Sequence, residues 1–141
     1  MIRIKIGMPD TKMGANIILV RKGKILLLLR SLGWKSGHWG PPGGGVDKGE
    51  TPKQGAVRET YEESGLRVKA ADLELLIQKT KHDFGVVYFY ITDKFSGEYR
   101  GVRLSHEHKS FSWVDMKRID EFDTTFEPEE LAIIKKAVLA Y

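Results

Sequence analysis

Three glutamates, Glu59, Glu62 and Glu63, stand at spacings i, i+3 and i+4 in a segment with helical character. Positions three and four apart lie on one face of an α-helix. Like charges at this spacing destabilise a helix by about 0.2–0.5 kcal/mol per pair. A divalent cation that prefers oxygen ligands, such as Mg²⁺, would offset that repulsion. The three carboxylates therefore predict a metal platform, and a solvated acidic face is the alternative.

The residues around the glutamates favour the metal platform. Arg58 adjoins Glu59 and is placed to orient its carboxylate by a forked hydrogen bond. The run Gly43–Gly45 precedes the helix, and glycines let backbone groups approach a metal or a phosphate closely. Glu50 leads into the helix and has two interpretations, a metal ligand or a carboxylate that braces the loop.

The helix that carries the glutamates has clear start and stop signals. Thr51 is suited to the N-cap, Pro52 to the first helical position, and Gln54 completes a capping box. Gly65 is placed as the C-terminal cap. The face roughly opposite the glutamates is predicted to pack against a sheet, and it carries Val57, Thr60 and Tyr61.

The rest of the chain alternates between strand and helix signals. Apolar runs and alternation predict strands at Ile2–Ile6, Ala15–Val20, Lys24–Ser31, Leu73–Thr80, Gly85–Thr92 and Ser110–Val114. Lys22–Gly23 predicts a tight hairpin, and the segment Gly33–Gly49, rich in glycine, predicts a loop. Glu127–Ala140 predicts a closing amphipathic helix. This order predicts an α/β fold in which helices cover both faces of a mixed sheet.

Length, charge and composition narrow the class of protein. The chain has 141 residues, which suits one domain over residues 1–141. The absence of cysteine excludes thiolate catalysis and zinc–thiolate sites and fits a cytoplasmic location. The net charge of +4 suits an anionic ligand, although solubility alone is the simpler explanation. No apolar run approaches the ~20 residues that span a bilayer, so we expect no membrane contact.

The segment Gly44–Leu66 resembles the Nudix box, Gly-x5-Glu-x7-Arg-Glu-U-x-Glu-Glu-x-Gly-U, in which U is a bulky aliphatic residue. The matching residues are Gly44, Glu50, Arg58, Glu59, Glu62, Glu63, Gly65 and Leu66. Thr60 is the one departure and is expected to affect packing slightly. The resemblance implies an α/β/α sandwich and Mg²⁺-dependent hydrolysis of a P–O–P bond in a nucleoside diphosphate derivative, with Mn²⁺ as a possible substitute.

The resemblance also implies roles for individual residues. The metal ligands would be Glu59, Glu62, Glu63 and the backbone carbonyl of Gly43, and Arg58 would orient Glu59. Glu63 and Glu107 are both candidates for the general base. Glu107 lies just before the strand at Ser110–Val114, and an exposed loop glutamate is the alternative interpretation.

Three segments, two of which overlap the box, resemble the diadenosine tetraphosphate hydrolase branch: WGPPGGGVDKGE, RETYEESGL and RLSHEHKSFSWV. That branch usually has Lys-Gly-His where this chain has Gly43–Gly45, so one phosphate contact is missing. Phe84 and Tyr88 are candidates to stack on a base, and core packing is the alternative. The candidate phosphate contacts, which could equally serve solubility, are Lys35, Arg103 and Lys109.

Together these resemblances imply an enzyme that hydrolyses a dinucleoside polyphosphate such as diadenosine tetraphosphate. One alternative is a pyrophosphatase that cleanses the pool of nucleoside triphosphates. Another is a nucleotide-sensing module without catalysis, which the four glutamates of the box disfavour. The expected partner is a small nucleotide, with no stable nucleic-acid complex and no membrane, and the protein is expected to be a monomer or a homodimer.

Overall fold

The computed structural model describes residues 12–82, 84–99 and 101–141, so the predicted strand Ile2–Ile6 lies outside the described residues. The strands are β1 Lys12–Arg21, β2 Lys24–Arg30, β3 Trp39–Gly40, β4 Gly43–Gly45, β5 Glu74–Lys81, β6 Gly85–Thr92 and β7 His108–Asp115. The α-helices are α1 Pro52–Ser64 and α2 Pro128–Leu139, and short 3₁₀ turns occupy Ala70–Asp72 and Met116–Glu121. Within these ranges, no helix is long and apolar enough to cross a membrane.

The strands form a mixed sheet in the order β3-β2-β1-β6-β5, with β4 paired to β1 and β7 paired to β2. Strands β1 and β6 run parallel, and the other paired strands run antiparallel. Lys22 and Gly23 both adopt positive φ, at 51° and 75°, as a tight hairpin turn requires. The predicted hairpin between β1 and β2 is therefore confirmed.

Helices cover both faces of the sheet, which confirms the predicted α/β fold. The central strand β1 is buried on its two sides, with Ile17 and Leu19 in one core and Ile18 and Val20 in the other. The first core includes Ala56 of α1, and the second includes residues of α2. A strand buried on both faces has a continuous apolar run in its sequence, and Ile17, Ile18, Leu19 and Val20 form that run in β1.

The predicted loop Gly33–Gly49 is wrong in part, because it contains β3 and β4. Strand β4 consists of three glycines and pairs with residues 14–16 of β1. A strand without side chains shows no apolar alternation, so the sequence pattern could not reveal it. A side chain at Gly43, where φ is 152°, would stand 2.4 Å from the carbonyl oxygen of Ala15. The close approach of β4 to β1 therefore depends on glycine.

Helix α1 has the predicted caps. The Thr51 hydroxyl accepts from the Gln54 N–H, the Gln54 side chain accepts from the Thr51 N–H, and Gly65 adopts φ 78°. The predicted sheet-facing side is confirmed for Thr60, which is buried, and for Val57, which packs against the core on that side of the sheet. It is wrong for Tyr61, which stays partly exposed and contacts Arg67 and Arg103. The buried residues of the helix are Gly55, Ala56, Thr60, Glu63 and Ser64. The helix thus turns one of its glutamates toward the sheet.

Candidate active site

Glu63 is the glutamate that α1 turns inward, and it is 4% exposed. Its Oε1 accepts a hydrogen bond of 2.8 Å from the backbone N–H of Gly43 in β4. Burial raises the pKa of Glu63 to about 8, and the charges of Glu59 and Glu107 add to the rise. The Gly43 hydrogen bond and the Arg30 guanidinium oppose it. Glu63 is therefore anchored by one oxygen and disposed to bind a proton or a cation with the other.

Glu59 lies half-buried against the next glycine of β4. A Cβ atom on Gly44 would stand 2.5 Å from Glu59 Oε2, which is closer than atoms can pack. Gly44 therefore forms a cradle for this carboxylate. Burial raises the pKa of Glu59 to about 7; the Arg58 charge lowers it, and the charges of Glu62 and Glu107 raise it. The lack of a side chain at Gly44 and the raised pKa of Glu59 both show that the fold brings the Glu59 carboxylate close to the sheet.

Arg58 makes its fork with Glu50, which corrects the prediction that the fork holds Glu59. Its Nε and one terminal nitrogen donate to the two Glu50 oxygens at 2.9 and 3.0 Å. The same terminal nitrogen donates to the Gly45 carbonyl at 3.0 Å. The contact with Glu59 is an ion pair of 3.6 Å. Glu50 also accepts from the Asp47 N–H at 2.8 Å, so in this structure it braces the loop.

Glu62 is the most exposed of the three glutamates, with 53% of its side chain accessible, and lies 3.2 Å from Arg58. Side-chain exposure thus increases from Glu63, which is buried, to Glu59, which is half-buried, and to Glu62, which is exposed. Across the described part of the chain, no three acidic or histidine side chains stand ready in a metal-binding arrangement. Side chains must therefore reorient before all three carboxylates can share one cation.

Glu107 faces the same glutamates from another part of the chain. It lies in the turn that precedes β7, and its backbone carbonyl accepts from the Ser31 N–H at 2.9 Å. Its charge raises the pKa of both Glu59 and Glu63, which places its carboxylate within electrostatic range of both. The structure therefore assembles Glu107 with the α1 glutamates, although 44 residues separate it from Glu63 in the sequence (107 minus 63).

Arg30 is a residue of the site that the sequence analysis did not single out. It ends β2, pairs with His108 of β7, and holds down the pKa of Glu63 by its charge. Burial lowers the pKa of His108, and the Arg30 charge lowers it further. A cation at the end of an apolar strand, just before the glycine-rich segment, is the signal that could have found it.

The two aromatic candidates lie in different environments. Phe84 is 41% exposed, and its ring carbons stand 3.1 and 3.3 Å from where a Gly14 side chain would begin. Gly14 pairs with Gly45, so Phe84 lies beside the glycine strand of the site. Tyr88 is partly buried and stacks on Tyr90 with 2° between the ring planes. Phe84 is therefore accessible to a ligand, whereas Tyr88 packs with the core.

The three cationic candidates lie in three different segments of the chain. Lys35 lies over the ring of Trp34, with 5.3 Å from Nζ to the ring centroid. Arg103 lies at the C-terminal end of α1, where its guanidinium is 3.4 Å from the Tyr61 hydroxyl. Lys109 is exposed in β7, at the point where the register with β2 shifts. Contact with a substrate stays a prediction for all three.

Thr60, the departure from the box, is fully buried, and its hydroxyl has no hydrogen-bond partner among the described residues. A buried, unsatisfied hydroxyl costs about 1–3 kcal/mol. The cost falls on stability, because Thr60 points into the core beside the sheet rather than toward the glutamates. The departure is therefore compatible with the chemistry of the site.

Comparisons with known proteins agree with this arrangement. A family model described as the NUDIX domain matches residues 10–137. The bis(5'-nucleosyl)-tetraphosphatase [asymmetrical] of Caenorhabditis elegans is 32% identical over 110 residues, which cover 73% of this chain and 78% of that protein. An oxidized purine nucleoside triphosphate hydrolase of Danio rerio is 41% identical over 61 residues, 43% of this chain and 39% of that protein. The crystal structure of a MutT NUDIX hydrolase from Burkholderia pseudomallei superposes with a TM-score of 0.72 and 26% identity, covering 89% of this chain and 96% of that one.

Proposed function

This chain belongs to the Nudix family and is a Nudix pyrophosphohydrolase, and on that basis we propose that it hydrolyses a dinucleoside polyphosphate with Mg²⁺ as its cofactor. The observation that carries the proposal is the Caenorhabditis elegans tetraphosphatase, which matches over most of both chains. The exposed Phe84 ring beside the glycine strand supports it, because an accessible aromatic face can stack on a base.

The residues of the site fit a hard divalent cation. Glu59, Glu62, Glu63 and the carbonyl of Gly43 would hold it, all of them oxygen ligands. The cradle at Gly44 and the raised pKa values of Glu59 and Glu63 are what a site that gathers carboxylates around a cation requires. A bound Mg²⁺ would neutralise the charge that develops on phosphate oxygens while the P–O–P bond breaks.

The other residues position these ligands and handle the proton. Arg58 ties Glu50 to the Gly45 carbonyl and so fixes the loop against α1. Glu107 is the better placed general base, because it is exposed, its charge acts on the α1 glutamates, and its carboxylate forms no hydrogen bond with the described residues. Glu63 is buried and already accepts from Gly43, which favours its role as a ligand. In this assignment Glu107 takes the proton of the attacking water.

Mg²⁺ affinity should rise with pH, since the cation must displace protons from carboxylates. Burial raises the pKa of Glu59 to about 7 and that of Glu63 to about 8, so at pH 6 both carboxylates are mostly protonated and at pH 8.5 both are mostly ionised. We expect affinity to increase roughly tenfold or more between about pH 6 and 8.5. Calorimetric titration with Mg²⁺ in buffers of different ionisation enthalpy measures both the affinity and the protons released. An affinity independent of pH would contradict the assignment of these ligands.

A second candidate function is hydrolysis of nucleoside triphosphates. The Danio rerio relative favours it, because its 41% identity is higher although the match is shorter. The box is shared by both activities and does not separate them.

A substrate panel separates the two functions. We expect kcat/KM for diadenosine tetraphosphate to exceed that for ATP, 8-oxo-dGTP, ADP-ribose and a nucleotide sugar by about tenfold or more, because the proposed substrate alone offers two bases and a long phosphate chain. Product analysis with Mg²⁺ makes the comparison, and the Glu62→Gln protein serves as the inactive control. A higher kcat/KM for a triphosphate would replace the dinucleoside assignment and leave the reaction class unchanged.

A further inference from the structure

Trp34 is an exposed aromatic side chain that lies outside the Nudix box. Its side chain is 59% accessible, in the turn that follows β2, whereas Trp39 and Trp113 are partly buried. A single exposed apolar residue needs no explanation by itself. The surroundings of Trp34 are what distinguish it from Leu32, which is 54% exposed in the same segment.

Two cations lie over the Trp34 ring. The Arg30 guanidinium carbon is 5.7 Å from the ring centroid, and the Lys35 Nζ is 5.3 Å from it. Neither cation forms an ion pair with a carboxylate of the described residues. An aromatic face with unpaired cations beside it matches a nucleotide, which combines a flat base with negative phosphates.

The turn that presents the ring is held in place. Arg30 Nε donates to the Trp34 carbonyl at 2.7 Å, and the Gly37 N–H donates to the Arg30 carbonyl at 2.8 Å. Lys35 has a positive φ of 52°, which non-glycine residues seldom adopt. These bonds fix the backbone that carries the indole before any ligand arrives, which lowers the ordering cost of binding.

Arg30 connects this turn to the catalytic glutamates. The guanidinium that lies over Trp34 is the same group whose charge lowers the pKa of Glu63. The residue after it, Ser31, bonds to the backbone of Glu107. The exposed indole therefore borders the site on the side from which Arg30 and Glu107 approach.

We propose that Trp34 is a stacking platform for a nucleobase of the substrate and that Arg30 and Lys35 contact the phosphates next to that base. The proposal deepens the proposed function and rests on it. A dinucleoside polyphosphate carries two bases, and the site is bordered by two accessible aromatic rings, Trp34 and Phe84. Trp34 thus contributes to the choice of substrate, while the box glutamates perform the reaction.

Tryptophan fluorescence tests the stacking without any turnover. We expect ADP with Mg²⁺ to quench the emission of the wild-type protein, because a base stacked on Trp34 quenches its indole, and we expect pyrophosphate with Mg²⁺ to leave it almost unchanged. In the Trp34→Phe protein, ADP should no longer quench. Quenching that persists there would place the base near Trp39 or Trp113 and overturn the proposal. Because no hydrolysis is involved, this result is independent of which substrate the enzyme cleaves.

Kinetics test whether the stacking serves the reaction. Trp34→Ala should raise KM for diadenosine tetraphosphate about tenfold, since base–aromatic stacking contributes on that scale, and should leave kcat within about twofold. Leu32→Ala is the matched control, equally exposed in the same segment, and should change neither value. KM for inorganic tripolyphosphate, which has no base, should be the same in wild type and Trp34→Ala. An equal rise for both compounds would assign Trp34 to the structure of the turn and overturn the proposal.

Discussion

Replacing Glu62 or Glu63 by glutamine should lower kcat at least ~100-fold, because each substitution removes a charged ligand that supports several kcal/mol of transition-state stabilisation. The glutamine keeps the size of the side chain, so the loss reports charge rather than packing. Steady-state rates with saturating Mg²⁺ and diadenosine tetraphosphate measure the effect. Glu121→Gln is the control, since Glu121 pairs with Arg118 at the surface and should keep full activity. Near-normal rates in both ligand variants would refute the metal platform.

The Glu63→Gln protein should also be more stable than wild type when metal is removed. The folded-state pKa of Glu63, about 8, lies above its ordinary value of 4.5. Protonated Glu63 therefore makes its full contribution to the stability of the fold below pH ~4.5, and this contribution is lost as the pH rises through about 8. Glutamine stays neutral, avoids that loss, and can still accept from the Gly43 N–H. We expect a Tm about 2–5 °C higher than that of wild type at pH 8.5 in EDTA. A lower Tm would show that the ionised carboxylate of Glu63 does not destabilise the folded protein.

This pairing of lost activity with gained stability distinguishes a functional carboxylate from a structural one. A structural glutamate, such as Glu50 in the fork of Arg58, loses hydrogen bonds when it is neutralised and destabilises the fold. The pKa of Glu50 is lowered by those bonds, which is the opposite direction from Glu63. The direction of the pKa shift therefore separates the two roles within one box.

Local sequence signals explain why the hairpin and the limits of helix α1 could be predicted. The hairpin at Lys22–Gly23 and the caps at Thr51 and Gly65 depend on contacts between residues that are neighbours in sequence. Their chemistry is visible in a short window of the chain. The spacing of the three glutamates on α1 is equally local, and the structure places them on the predicted helix.

Contacts across the sheet explain what the sequence could not show. The glycines of β4 pair with β1 although they carry no side-chain pattern, and the fork of Arg58 goes to Glu50 because the loop folds back along α1. The inward turn of Glu63 follows from the same approach of α1 to β4. Arg30 joins the site only because β2 ends beside the start of β7. The fork spans eight residues, and the other contacts join residues twenty or more positions apart in the sequence.

Helix α1 packs so closely on β4 that a side chain at Gly44 would displace Glu59. We therefore expect Gly44→Ala to lower kcat about 100-fold. The added Cβ would stand 2.5 Å from Glu59 Oε2 and 2.7 Å from Cδ, so the carboxylate must move by roughly 1 Å. A displacement of that size at a reacting centre costs on the order of 100-fold in rate. The obstructed atoms belong to the end of a flexible side chain, so the fold should survive with a Tm close to that of wild type.

The neighbouring glycines make the test specific to the cradle. A Cβ at Gly45 would have nothing within 4 Å, so Gly45→Ala should keep its rate within about twofold, since only misplacement at the reacting centre is costly. Gly43→Ala would meet the Ala15 carbonyl and a φ of 152°, so it should disturb the fold itself. Rates and Tm values for the three variants form one series, in which only Gly44→Ala is folded and slow. Equal rates for Gly44→Ala and Gly45→Ala would mean that the carboxylate position of Glu59 does not limit catalysis. The expected difference would instead show that the bare backbone of Gly44 is needed because a catalytic carboxylate occupies the space of its missing side chain.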